Sequence, residues 1–356
     1  MAAEWQSGNA SARWNASAAA EDAPADGLTA LRVLVSAVYL VICAGGLLGN
    51  LLVLALVKPR GPGGAAAVDV FVVNLAVTDL GFALTLPFWA AEKLLDFSWP
   101  FGHAMCKVVL SATVMNMYSG VFFLTAMSVA RYRSMARALP PRRGRRRRGR
   151  SAGWAAGALW AGAALAATPA AIFSTVRRVA GERLCLLGFP EGGAWLALYH
   201  VQKILLGFVL PLGVVCACYL LLLRLLRGRG AERRRRRARV TRSVTIAVMS
   251  FFLCWMPNQA VTLWGVLVKL NLLQWDGAYY AAHTYAHPLS VCLAHANSCL
   301  NPLLYCLLRR DFRSRLKRLW KTARLAAGRH ARPGGIPLAD AENSKDRREP
   351  PRAELD

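Results

Sequence analysis

Apolar residues in this chain are gathered into long blocks rather than spaced at the period of a surface helix or a half-buried strand. The blocks run from Leu31 to Val57, Val68 to Leu95, Met105 to Met135, Gly153 to Phe173, Trp195 to Leu226, Val240 to Val268 and Tyr279 to Leu308, seven in all. Each is near the length of ~20 residues that a helix rising about 1.5 Å per residue needs to cross a hydrocarbon core. The pattern predicts an integral membrane protein of seven helices. The third block anchors the reading, because Met105 to Tyr132 begins beside Cys106, carries Asn116 midway and ends on Arg131 and Tyr132. It is longer than a bilayer requires, so it must tilt or protrude, and it can link an outer site to an inner one.

Composition agrees with this pattern and the charge orients it. The chain of 356 residues is 55% hydrophobic and carries a formal net charge of +26. The arginine runs fall between blocks three and four, between five and six, and after seven. Those are alternate loops on one side, which the positive-inside rule assigns to the cytoplasm, with the N-terminus outside. Topology and attraction to anionic membrane lipids explain the charge, so a nucleic-acid partner is not expected. Met1 to Asn15 has no central apolar run, so the first span is expected to act as the insertion signal.

Of nine cysteines, Cys106 and Cys185 fall at or beyond the outer ends of spans, where the compartment permits a disulfide. The others are expected as free thiols. Asn9 with Ser11 and Asn15 with Ser17 are glycosylation acceptor triplets in the tail placed outside. The expected layout is an outer disordered tail over 1–28, a membrane domain over 29–308, an amphipathic surface helix over 309–326 and a disordered inner tail over 327–356. The basic and apolar alternation from Arg309 to Leu325, with Phe312, Leu316, Leu319 and Trp320, is what predicts the surface helix.

Polar residues inside the spans carry the candidate chemistry. Asp79 is an acid near mid-membrane, where a carboxylate is costly and marks function. The alternative is a protonated carboxyl bonded to Asn50 and Asn301. Pro87 is expected to kink the outer part of the second span. Beyond it the spacing of Trp89, Glu92 and Asp96 places them on one helical face. Trp160, Pro169, Pro211, Tyr219 and the run from Phe251 through Trp255 to Pro257 mark bends and bulky positions in later spans. The seventh span closes with Asn297, Ser298, Asn301, Pro302 and Tyr305.

The ordered set of Asn50, Asn74 with Asp79, Cys106 and Cys185, Arg131 with Tyr132, Trp160, Pro211, Trp255 with Pro257, and Asn301, Pro302 and Tyr305 resembles the rhodopsin-family G-protein-coupled receptors. Within them, LPFWAAEKLLDFSWPF over 86–101, VTIAVMSFFLCWMPNQ over 244–259 and LAHANSCLN over 293–301 resemble the relaxin-3 receptors. The implied fold is an all-α membrane protein, a seven-transmembrane helix bundle with an amphipathic eighth helix on the cytoplasmic surface. The implied function is that of a plasma-membrane receptor for a relaxin-3-like peptide hormone, signalling through inhibitory heterotrimeric G proteins, with arrestin as a further partner.

The same resemblance assigns ligand contacts to Trp89, Glu92, Asp96, Glu182 and Lys203, the acids taking ligand arginines and Lys203 lying near the ligand's carboxyl end. Thr113 stands where amine receptors have Asp, which favours a peptide over a small amine. Glu191 is read as solvated surface charge. Cys106 and Cys185 would form the family's disulfide. Arg131, Tyr132, Tyr219, Phe251, Trp255, Pro257, Asn301, Pro302 and Tyr305 would repack on activation and G-protein coupling. Asp79, Asn116, Asn297, Ser298 and Asn301 would hold an allosteric sodium ion favouring the inactive state, with no other cofactor expected.

The chain departs from the family's pattern at three places. Ala130 replaces the acid usual before Arg131, and Arg237 is basic too, so neither usual carboxylate restrains Arg131. Gly120 replaces a hydroxyl beside the ion pocket. No cysteines are present for a second outer disulfide. Ala130 keeps open an alternative, a receptor that captures peptide without G-protein coupling, and another basic peptide is a second alternative ligand. A transporter would repeat broken helices between two halves of the chain, and none are repeated. No nucleophile, base and orienter set that would mark an enzyme stands out.

Overall fold

The structure is a computed structural model and describes residues 25–57, 67–136, 143–179, 181–190, 193–227, 231–308 and 310–330. Asn9, Asn15 and Glu191 lie outside the described residues, as do the side chains of Arg237 and Tyr305. The described elements are α1 (Ala25–Leu56), α2 (Ala67–Ala83), α3 (Leu86–Leu94), α4 (Gly102–Ala136), α5 (Arg143–Phe173), β1 (Ser174–Val179), β2 (Glu182–Leu187), α6 (Gly193–Ile204), α7 (Leu210–Arg227), α8 (Ala231–Lys269), α9 (Gly277–Ala281), α10 (His287–Leu308) and α11 (Arg310–His330). Among the described residues, six segments are long and apolar enough to cross a membrane. The seventh expected span is α9 and α10 joined by a π turn over Ala282–Ala286.

The second span is broken rather than bent. α2 stops at Ala83, Leu84 and Thr85 form a turn, and Pro87 lies in the first turn of α3. A proline at a helix start gives up an N–H that would be unpaired there anyway. The Thr85 hydroxyl donates to the Phe82 carbonyl at 2.7 Å, satisfying part of the break. Two π turns have a similar cause. Leu205–Val209 precedes Pro211, and Ala282–Ala286 precedes Pro288. The residue before each proline bonds five back: the N–H of Leu210 donates to the Leu205 carbonyl, and that of His287 to the Ala282 carbonyl. The missing proline N–H and the crowding ring widen the turn, and neighbours make this tolerable in a membrane helix.

Packing follows small residues and buried polar pairs. A Cβ on Gly49 would meet the Pro302 ring at 2.9 Å, so only glycine lets α1 come this close to α10. The Trp160 indole donates to the Asn74 side chain at 2.9 Å, and Phe123 meets the same indole edge-on at 5.8 Å, tying α5 to α2 and α4. One end of the bundle is closed by the β1–β2 hairpin, antiparallel with Val176 opposite Cys185. Cys185 is disulfide-bonded to Cys106 on α4, with Cα atoms 5.5 Å apart. Fully buried Trp99 packs against that bridge and receives its backbone bond from the hairpin, its N–H donating to the Arg183 carbonyl at 2.7 Å. On α11 the Arg324 guanidinium lies 5.4 Å above the exposed Trp320 ring.

Candidate receptor sites

At the disulfide end, the side chains expected to meet a ligand are held by more internal partners than the sequence indicates. The Trp89 indole donates to the Thr113 hydroxyl at 3.0 Å, which itself donates to the Val109 carbonyl at 2.8 Å. The Trp89 ring lies 5.7 Å from Trp99, so it is bound indirectly to the disulfide cluster.

Glu92 and Asp96 do not share a helical face. α3 ends at Leu94, and Asp96 and Phe97 both adopt left-handed backbone, with φ 54° and 66°. The N–H of Phe97 reaches back to the Glu92 carbonyl at 2.8 Å, a bond that closes the helix end and turns Asp96 off the helical path. Their surroundings differ accordingly. Glu92 is buried and accepts from Lys93 at 3.1 Å, while the Asp96 side chain is 75% exposed and pairs with Arg32 of α1. Glu182 opens β2 and is exposed. Lys203 lies half-buried in the last turn of α6.

At mid-bundle, Asp79 is 2% exposed and accepts from Asn301 at 3.0 Å and Asn116 at 3.4 Å. Asn50 does not reach it. Its amide donates to the Gly46 and Ser298 carbonyls at 2.9 and 3.0 Å, because α1 meets the backbone of α10 here rather than the acid. Beside Asp79 lies a cavity of ≈ 10 Å³ whose lining includes Asn116, Asn297 and Ser298 below Trp255 and His295. That volume is about one water-sized sphere. Among the described residues, the Oδ1 of Asn297, which lines the cavity, and the Oδ1 of Asn301, whose amide reaches Asp79, are buried without a hydrogen-bond partner. A carboxylate with two amide donors and spare amide oxygens is a donor set suited to a small hard cation. Gly120 widens the cavity: a Cβ there would have nothing nearer than Leu75 at 4.0 Å. The neighbouring hydroxyl of Ser119 instead pairs with Thr78 at 2.6 Å. Neither Ser119 nor Thr78 stood out in the sequence, since hydroxyls in a span mostly bond back to their own helix.

Trp255, two residues before Pro257 in α8, stacks on Phe251 with ring centroids 5.7 Å apart, both buried. At the end away from the disulfide, Tyr219 of α7 makes side-chain hydrogen bonds with Ser128 and Thr245 and lies within electrostatic reach of half-buried Arg131. Tyr132 follows on α4 and is half-buried, while Pro302 is packed in α10 beside Gly49.

A seven-helix bundle with a buried acid at its centre and a disulfide-tethered hairpin over one end defines a membrane receptor. The model of the 7 transmembrane receptor (rhodopsin family) matches residues 49–305, and the chain belongs to that family. Relaxin-3 receptor 1 of Homo sapiens is 51% identical over 335 residues, covering 84% of this chain and 71% of its own. Relaxin-3 receptor 2 of Homo sapiens is 50% identical over 310 residues, covering 86% and 81%. Somatostatin receptor type 3 of the same species is 37% identical over 325 residues, covering 87% and 74%. The chain is a multi-pass plasma-membrane receptor and not an enzyme.

Proposed function

We propose that the chain is a cell-surface receptor for a relaxin-3-like peptide hormone, with its N-terminus outside and its arginine-rich loops facing inhibitory heterotrimeric G proteins. The identity of about half to receptors named for relaxin-3, extending over most of the chain, carries this reading. Glu92 and Asp96 take ligand arginines, Trp89 and Thr113 form an apolar and hydroxyl floor, Glu182 adds a rim acid, and Lys203 receives the ligand's carboxyl end. The peptide binds best to the state in which α8 swings outward, and G protein binds that state as well, so each raises the other's affinity. Trp255 and Phe251 rearrange above Pro257, while Arg131, Tyr132, Tyr219, Pro302 and Tyr305 repack at the coupling end.

Asp79, Asn297, Ser298 and the amide oxygens of Asn116 and Asn301 would hold a sodium ion, which when bound neutralises the buried acid and favours the inactive state. The layout of an outer tail glycosylated at Asn9 and Asn15, a membrane domain over 29–308, a lipid-facing helix over 309–326 and an inner tail that recruits arrestin belongs to the same reading. It is tested by exposing cells that express the chain to a panel of relaxin-family peptides and following cyclic AMP. Inhibition by a relaxin-3-like peptide is expected. Saturable binding without any change in cyclic AMP would favour the capture-only alternative that Ala130 raises, and no binding across the panel would refute the ligand class.

A further inference from the structure

The two acids at the disulfide end already hold cations of the receptor's own. Lys93 Nζ lies 3.1 Å from Glu92 Oε2 and 4.3 Å above the Phe97 ring. Arg32 Nη1 donates to Asp96 Oδ1, and Arg32 Nη2 to the Thr29 hydroxyl at 3.3 Å. Arg32 comes from α1, 64 residues away in sequence, so the pair is tertiary and no property of the local turn. Both members remain partly accessible, at 25% and 75% side-chain exposure. The pair is therefore more open to an incoming chain than buried Glu92 with half-buried Lys93.

Resting on the ligand reading above, we propose that Arg32 is a specificity-determining residue, an internal guanidinium that occupies Asp96 and yields it only to a ligand that brings a guanidinium of its own. Arginine can replace arginine at a carboxylate with like geometry, whereas a lysine offers a point charge and loses the planar fork. Arg32 therefore lowers the affinity of every ligand that engages Asp96 by a common factor, and an arginine, which forms the stronger pair, still engages Asp96 where a lysine does not. The exchange also has a signature in salt. When a ligand arginine displaces Arg32 from Asp96, the number of paired charges at Asp96 is unchanged. Removing Arg32 turns that exchange into a net new ion pair, whose strength is screened by added salt. The turn responds as well, because Asp96 and Phe97 are both left-handed without glycine, a backbone that persists only where surroundings hold it. Arg32 on Asp96 and Lys93 on Phe97 are two such holds.

The test is equilibrium binding of a relaxin-3-like peptide, and of the same peptide with its arginines changed to lysine, to the full receptor on cells over a range of salt. Wild type is compared with Arg32→Gln, Arg32→Met and Asp96→Asn, with surface number measured for each. Both Arg32 variants are expected to bind about threefold tighter at low salt, to gain at least as much for the arginine peptide as for the lysine peptide, and to show a steeper loss of affinity with salt. Two variants guard against one failing to reach the surface, since Met keeps the long stem. Adding Asp96→Asn to either should cancel the gain. Unchanged or weaker binding in both Arg32 variants, with no change in salt dependence, would overturn the proposal and make Arg32 a structural clamp. Failure of wild type and Asp96→Asn alike to bind either peptide would instead sink the ligand reading, and the proposal with it.

Discussion

The indole N–H of Trp89 donates to the hydroxyl of Thr113 at 3.0 Å, linking the short helix α3 to the middle of α4 across the candidate ligand site. Thr113 then has a positive role: it fixes the ring that a peptide would meet. Removing the acceptor leaves a part-buried donor unpaired, a loss worth about 1–3 kcal/mol. Thr113→Val is therefore expected to weaken binding of a relaxin-3-like peptide by about tenfold, and Thr113→Ser to keep most of it. Competition binding on intact cells reads the difference. Equal affinities in the two variants would mean the bond does not order Trp89 for the ligand.

The Cys106–Cys185 bridge spans a sequence separation of 79 and ties the hairpin to α4 beside fully buried Trp99. In the chain-entropy model a loop of this length contributes about 4 kcal/mol. Cys185→Ser is expected to lose surface expression or peptide binding, as measured by surface labelling and saturation binding. Normal values in both would contradict a structural role for the bridge.

Asp79→Asn removes the charge beside the small cavity while keeping a side chain of nearly the same shape. Peptide affinity should then become independent of sodium, whereas in wild type it should fall as sodium replaces a large organic cation. A sodium effect of equal size in both proteins would place the ion elsewhere.

The spans, the disulfide and the central acid were legible in the sequence because each follows from local hydropathy or from a residue type that is costly in lipid. Asp79 is buried at mid-bundle as hydropathy placed it, and it accepts from Asn116 and Asn301, which only the family resemblance had grouped with it. The partners at the disulfide end were not legible. Helical spacing put Glu92 and Asp96 on one face, and the helix end at Leu94 with a left-handed Asp96 removed that alignment. Arg32 could not be matched to Asp96 without knowing how α1 packs on α3. The alternative of a carboxyl bonded to Asn50 does not hold: Asn50 donates to the Ser298 carbonyl, because an amide's choice between two nearby acceptors depends on the close approach that Gly49 allows. The π turns before Pro211 and Pro288 had a visible cause in those prolines, but their width depends on the neighbouring helices.

Ala130 stands before Arg131 where the family usually has an acid. Ala130→Asp is expected to lower ligand-free signalling at equal surface expression by placing a carboxylate next to Arg131 in the inactive state. Arg131→Ala should abolish coupling and leave peptide binding largely intact. Basal cyclic AMP inhibition checks both, and unchanged or higher basal signalling in Ala130→Asp would show that Arg131 is restrained by another route.

The central claim is that an arginine-bearing peptide docks on Glu92 and Asp96. A charge swap tests it most directly, pairing Glu92→Arg or Asp96→Arg with Arg→Glu changes in a relaxin-3-like peptide. Because Glu92 is buried beside Lys93, its truncation should cost on the order of 2 to 5 kcal/mol, whereas the exposed Asp96 should act mainly through association rate and salt dependence. Each single reversal is expected to weaken binding, and one matched combination to restore a measurable part of it. Affinities within a factor of about two of wild type for both Glu92→Ala and Asp96→Ala, with no rescue in any swapped pair, would contradict docking at this site.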